Sequence, residues 1–154
     1  MTTCAVSHAQ SSVADRSKMK SIRVLLVDDH FLVRQGLRKY LSHHTDIELV
    51  GEATDGEEAV KLTDQLTPDV VVMDINMPRM DGIEATGHIM RKHPYIKVIG
   101  LSFDVGKRNR EAFLDAGACL LLDKGAPHDQ LYHAIYQAGD KRAAASSSGN
   151  CHTA

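Results

Sequence analysis

The chain has 154 residues, 43% hydrophobic and 25% charged, with a formal net charge of −2. This balance describes one ordinary globular domain with slack at its ends, and it argues against a strongly nucleic-acid-seeking surface. No apolar run approaches the ~18 residues needed to span a bilayer, and the first residues lack the layout of a signal peptide.

Residues 1–21 are rich in Ser, Ala and Thr without an apolar period, and residues 140–154 are similar; both are expected to be mobile tails around a folded unit at 22–139. The first apolar run, IRVLLV at 22–27, reads as a strand. A helix follows in which Val33, Gly36, Leu37, Tyr40 and Leu41 recur at helical spacing, ending near His43 and His44. Arg34, Arg38 and Lys39 fall off that stripe and read as a solvated face. IELVGE at 47–52 is the second strand, and Asp55-Gly56 punctuates the way to a helix marked by Ala59, Leu62 and Leu66. VVVM at 70–73 is the third strand, with Asp81-Gly82 as the next turn or cap signal. KVIGLS at 97–102 is the fourth, and CLLL at 119–122, after Ala116-Gly117, the fifth. Leu131, Ala134, Ile135 and Ala138 mark the last helix. Five near-continuous apolar strands alternating with five helices predict an α/β fold, with right-handed crossovers and a parallel sheet covered on both faces. No glycine pattern follows the first strand, which disfavours a dinucleotide site.

In an open α/β sheet, ligands bind beyond the carboxyl ends of the strands. Strand 1 ends in Asp28-Asp29, strand 3 in Asp74 and strand 4 in Ser102, and strand 5 runs into Lys124. Three carboxylates gathered at one edge repel unless a cation neutralises them, and a hard divalent ion such as Mg2+ meets that need. Mg2+ and a lysine beside a carboxylate also suit a phosphoryl group in transit. Taken singly, each residue has a bland reading. An acidic pair after a strand is more often a helix cap, Ser102 an ordinary loop hydroxyl, and Lys124 a solvated lysine. Independent caps, however, have no reason to supply one hydroxyl and one lysine at the right strand ends. The nine histidines show no i, i+4 metal pairing and read as surface or helix-end residues. Phe103 reads as local packing, or, beside Ser102, as a residue that narrows the entrance to Asp74, and Met77, Met80 and Met90 read as packing residues. Cys4, Cys119 and Cys151 are scattered and odd in number, forming neither a disulfide framework nor a metal site, so a reducing cytoplasm is expected.

The segments VLLVDDHFLVRQGL, PDVVVMDINMPRMDGIEAT, VIGLS and DAGACLLLDKGAP resemble a bacterial response-regulator receiver domain, CheY-like, in the branch with DDH after strand 1. The resemblance covers Ile22 to about Gly139, and the MDINMP…DG segment is its specific part. It implies a flavodoxin-like doubly wound sheet of five parallel strands in the order 2-1-3-4-5, with five helices. It also implies a phosphoacceptor module of a two-component phosphorelay, taking a phosphoryl group from a histidine kinase or a phosphotransfer protein. Asp74 matches the phosphoacceptor, a carboxylate nucleophile. Asp28 and Asp29 match the acidic pair that organises Mg2+, and Asn76 the position whose backbone carbonyl ligates it. Ser102 matches the switch hydroxyl and Lys124 the lysine that pairs with phosphoryl oxygens.

Three positions depart from the family pattern. Leu121 stands where a switch aromatic is usual, Asp123 puts a charge just before Lys124, and Gly125-Ala126-Pro127 replaces an immediate proline. The chemistry is expected to survive, but the aromatic form of output coupling lacks its side chain. A binding module of the same fold that does not depend on phosphate is the alternative. A hydrolase using an aspartyl-phosphate is disfavoured, because such enzymes carry a second carboxylate where Asn76 stands. The expectation is therefore a signalling module, not an enzyme beyond its own phosphoryl transfer and autodephosphorylation. No membrane contact and no direct nucleic-acid binding by this chain are expected, and its output partner or domain is left open.

Overall fold

The computed structural model describes residues 20–140. The tails expected at 1–21 and 140–154 thus lie outside the described residues, except for residues 20, 21 and 140. The elements alternate strictly: β1 (Ile22–Val27), α1 (Phe31–Ser42), β2 (Ile47–Ala53), α2 (Gly56–Leu66), β3 (Val70–Asp74), α3 (Gly82–Lys92), β4 (Lys97–Ser102), α4 (Lys107–Asp115), β5 (Leu120–Asp123) and α5 (His128–Gly139). The strands form one parallel sheet in the order β2-β1-β3-β4-β5, as expected.

Alternate residues of each strand feed two separate apolar layers, which is why the strands are apolar throughout. Leu25, Val27, Val71, Met73 and Val98 face α2, α3 and α4, meeting Ala59, Ala85, Ile89 and Phe113. Val24, Leu26, Val70, Val72, Ile99 and Leu101 face α1 and α5, meeting Leu37, Leu41, Leu131 and Ile135. A fully buried Leu, Ile or Phe contributes about 1.5–3 kcal/mol of transfer free energy, so these layers drive folding of the edge that carries the polar residues. In α1 the buried positions are Leu37 and Leu41. Gly36, expected on that stripe, is exposed, and a β-carbon there would meet no atom within 4 Å, so this position of α1 faces open space. The far end of α1 is joined to α5 by a stack of His44 on Tyr132, with ring centroids 3.8 Å apart.

Aspartates start α2 and α3. Asp55 accepts the Glu58 N–H and Asp81 the Glu84 N–H, both at 2.8 Å. Such caps satisfy backbone donors that a helix start leaves free. α1 differs: its N-cap is His30, which makes no side-chain capping bond.

Candidate functional site

β1 is paired with β2 on one side and β3 on the other, so the helices leaving β1 and β3 diverge and a crevice opens at their carboxyl ends. Asp28 lies just past β1 and Asp74 ends β3, each 1% exposed. Each turns one oxygen back onto its own loop. Asp28 Oδ1 accepts the His30 N–H at 2.8 Å, and Asp74 Oδ1 the Asn76 N–H at 3.1 Å. Their Oδ2 atoms meet the Lys124 ammonium at 2.9 and 3.0 Å. The Lys124 side chain is 3% exposed, and its backbone N–H donates to the Ser102 carbonyl at 3.0 Å, tying the end of β5 to β4. Close approach at the head of α3 helps to hold the crevice. A β-carbon on Gly82 would collide with the Asp74 carbonyl oxygen, while the Gly82 N–H donates to the Ile75 carbonyl at 2.8 Å.

One ammonium is paired with two of the three carboxylates here. Burial pushes the Asp74 carboxyl up to about 6, against the opposing pull of Lys124 and with help from Asp28 and Asp29. Burial pulls the Lys124 ammonium down, yet its hydrogen bonds to Asp28 and Asp74 together outweigh this and hold it above the ordinary lysine value. Beyond these ionic contacts, the buried oxygens Asp28 Oδ2, Asp29 Oδ1 and Asp74 Oδ2 have no hydrogen-bond donor. Donor atoms of Asp28, Asp29, Asp74 and His30 all lie within 4.8 Å of one another. Three carboxylates gathered this closely, with one buried ammonium to neutralise them, fit a hard divalent cation of the Mg2+ kind.

Ser102 is fully buried and accepts the Asp104 N–H at 3.0 Å. The amide of Asn76, whose side chain is exposed, reaches the Ser102 hydroxyl at 3.4 Å, so Asn76 links the Asp74 loop to the end of β4. All six residues singled out from the sequence thus converge on one edge. Leu121 is buried in the apolar layer that contains Phe113.

Three further residues join the site. His30, exposed at 61% as the surface reading expects, still places ring nitrogen Nδ1 3.1 Å from Asp29 Oδ1. Its position directly after the acidic pair was the available signal. Arg34, read as solvated, is only 12% exposed at its side chain and donates to the Asp28 carbonyl at 2.7 Å. The Phe103 ring lies with its centroid 5.5 Å from Lys124 Nζ, and is itself largely exposed.

This acidic crevice on a five-stranded doubly wound sheet is the architecture of a receiver-type signalling module. The family model of the response regulator receiver domain matches residues 24–136, and the chain belongs to that family. The transcriptional regulatory protein LiaR of Bacillus subtilis (strain 168) is 44% identical over 114 residues, covering 74% of this chain and 54% of LiaR. The chain spans about half the length of the curated relatives it matches. Among solved structures, the receiver domain of the putative response regulator NarL from Mycobacterium tuberculosis superposes with a TM-score of 0.76 at 29% identity, covering 80% of this chain and 99% of that one. CheY in a CheX-CheY-BeF3-Mg+2 complex from Borrelia burgdorferi gives 0.72 at 27% identity, covering 77% and 89%. Among the described residues, no helix is long and apolar enough to cross a membrane.

Proposed function

We propose that this receiver domain accepts a phosphoryl group on Asp74 from a phosphohistidine donor, a histidine kinase or a phosphotransfer protein, in the cytoplasm. The observation that carries this reading is the buried Asp74 carboxylate with Lys124 at one oxygen and two further carboxylates beside it. Asp74 attacks phosphorus as a carboxylate, the P–N bond of the donor breaks, and an acyl phosphate forms as the donor imidazole departs. Lys124 then pairs with a phosphoryl oxygen, and the Ser102 hydroxyl moves to another. Asp28, Asp29, Asp74 and the backbone carbonyl of Asn76 would hold Mg2+, which supplies neutralisation of charge on the phosphoryl oxygens.

The domain is a switch rather than an enzyme, turning over only its own phosphoryl group, and it signals through protein contacts. Regulation of transcription through a longer protein is consistent with the name of the relative LiaR; no nucleic-acid contact is assigned to the receiver domain itself. The test is incubation with acetyl phosphate and Mg2+, borohydride trapping and mass spectrometry. Label is expected on Asp74 only, and none in Asp74→Asn. Label that persists in the Asn variant, or none in wild type at saturating Mg2+, overturns the reading.

A further inference from the structure

The β1–α1 loop must hold two like charges in a fixed direction, yet α1 opens without a side-chain cap and with no acidic residue in its first turn. Arg34 supplies the missing restraint from one turn inside the helix. Its Nη1 donates to the carbonyl of Asp28 at 2.7 Å, and its Nε donates to Glu52 Oε1, on β2, at 3.2 Å. The Phe31 ring lies against its guanidinium at 5.7 Å, and Arg38 reaches the other Glu52 oxygen at 3.6 Å. The carbonyl that Arg34 grips belongs to the peptide joining Asp28 to Asp29. Fixing that peptide fixes where the Asp29 carboxylate leaves the chain, and Asp29, unlike Asp28, has no contact with Lys124 to hold it.

We propose that Arg34, anchored by Glu52, is a positioning residue that sets the Asp28–Asp29 peptide and thereby the cation affinity of the acidic crevice. This rests on the reading that the three carboxylates bind Mg2+. Positioning and charge act with opposite signs here. A cation beside an acidic site repels Mg2+, so deleting the charge alone tightens binding; losing the grip on the peptide weakens it. Lysine keeps the charge but cannot present two fixed N–H groups to a carbonyl and a carboxylate at once.

The experiment is Mg2+ titration by calorimetry of wild type, Arg34→Ala, Arg34→Lys, Glu52→Gln and Arg38→Ala, with metal-free melting temperatures alongside. Arg34→Lys is expected to weaken Mg2+ binding about tenfold, as loss of a residue behind the ligands does elsewhere. Arg34→Ala should weaken it as well and Glu52→Gln by a smaller factor, whereas Arg38→Ala stays within about twofold because its contact is longer and exposed. Affinity unchanged or tightened in the folded Arg34→Lys protein overturns the proposal, as does a lower melting temperature with no change in affinity. Should Arg34→Ala fail to fold, Arg34→Lys decides alone. Wild type that binds no Mg2+ defeats the cation reading itself, an outcome distinct from wild type and variants binding alike.

Discussion

Lys124 stands 3.0 Å from Asp74 and divides its charge between that carboxylate and Asp28, so Asp74 is neither fully paired nor free. Burial wins over the half-share of ammonium, and the Asp74 carboxyl rises to about 6.

The first prediction concerns stability without metal. A folded-state value above the unfolded one means that the folded protein binds the more protons between about pH 4 and 6, so the contribution of Asp74 falls as pH rises through that window. Asp74→Asn should therefore stabilise the protein in EDTA at about pH 7.5, by on the order of 2 kcal/mol, and the gain should vanish near pH 4. Asp64, held low by His93 and Lys92, titrates in both proteins and cancels from the comparison. Urea unfolding at the two pH values measures this. An equal gap between wild type and variant at both would show that charge is not the cause.

The second separates the acidic pair. Asp28 has Lys124 and the His30 N–H as partners, whereas the cationic partner of Asp29 among the described residues is the largely exposed His30 ring. Metal-free Asp28→Ala should melt lower, because, unlike Asp74→Asn, it removes every oxygen that bonds Lys124 and the His30 N–H at that position. Asp29→Ala should melt at or above wild type, since it removes repulsion without orphaning a cation. Both should weaken Mg2+ binding. A metal-free Asp29→Ala that melts well below Asp28→Ala contradicts this ordering.

The third concerns output. Leu121 is 2% exposed and packed in the α2–α4 layer, with neither ring nor hydroxyl to report where Ser102 sits. On phosphorylation, amide NMR shifts should be large at Asp74, Ser102 and Lys124 and small at Leu121 and along α5. A phosphorylation-dependent dimer through α4, β5 and α5 in sedimentation would be inconsistent with that.

The fourth concerns lifetime. Asp104 lies two residues after Ser102, but its carboxylate accepts the Gly106 N–H at 3.0 Å in an exposed turn at the head of α4. An outward, solvent-screened charge is worth a few tenths of a kcal/mol, so Asp104→Ala and Asp104→Asn should each leave dephosphorylation within about a factor of three. Decay of the phosphorylated protein in excess Mg2+ measures it; a tenfold slowing in both variants would assign the carboxylate to the attacking water.

The strands were legible because each is an apolar run cut off by a polar residue. IRVLLV and KVIGLS match β1 and β4 end to end. The acidic site was legible for the same reason, since its members are the residues that cut the runs off. Strand order was not written in periodicity, because it depends on how crossovers pack; it came from the resemblance to receiver domains. Arg34 was misread because helical spacing tells which side of α1 a residue occupies, not that a long side chain folds back on its own helix start. Its partner Glu52 is 18 positions away on another element, a distance no local pattern spans.

Gly82 gives the site a vulnerability that its chemistry does not announce. A full substitution scan scored by phosphorylation should mark position 82 as sharply as position 74, though the glycine contributes no reacting atom. What it contributes is vacancy: any side chain there would drive α3 into the backbone of Asp74 and Ile75. Mutational intolerance along this chain therefore records clearance as well as reactivity. A variant lost at 82 is a steric casualty of backbone atoms, which no smaller side chain nearby can make room for.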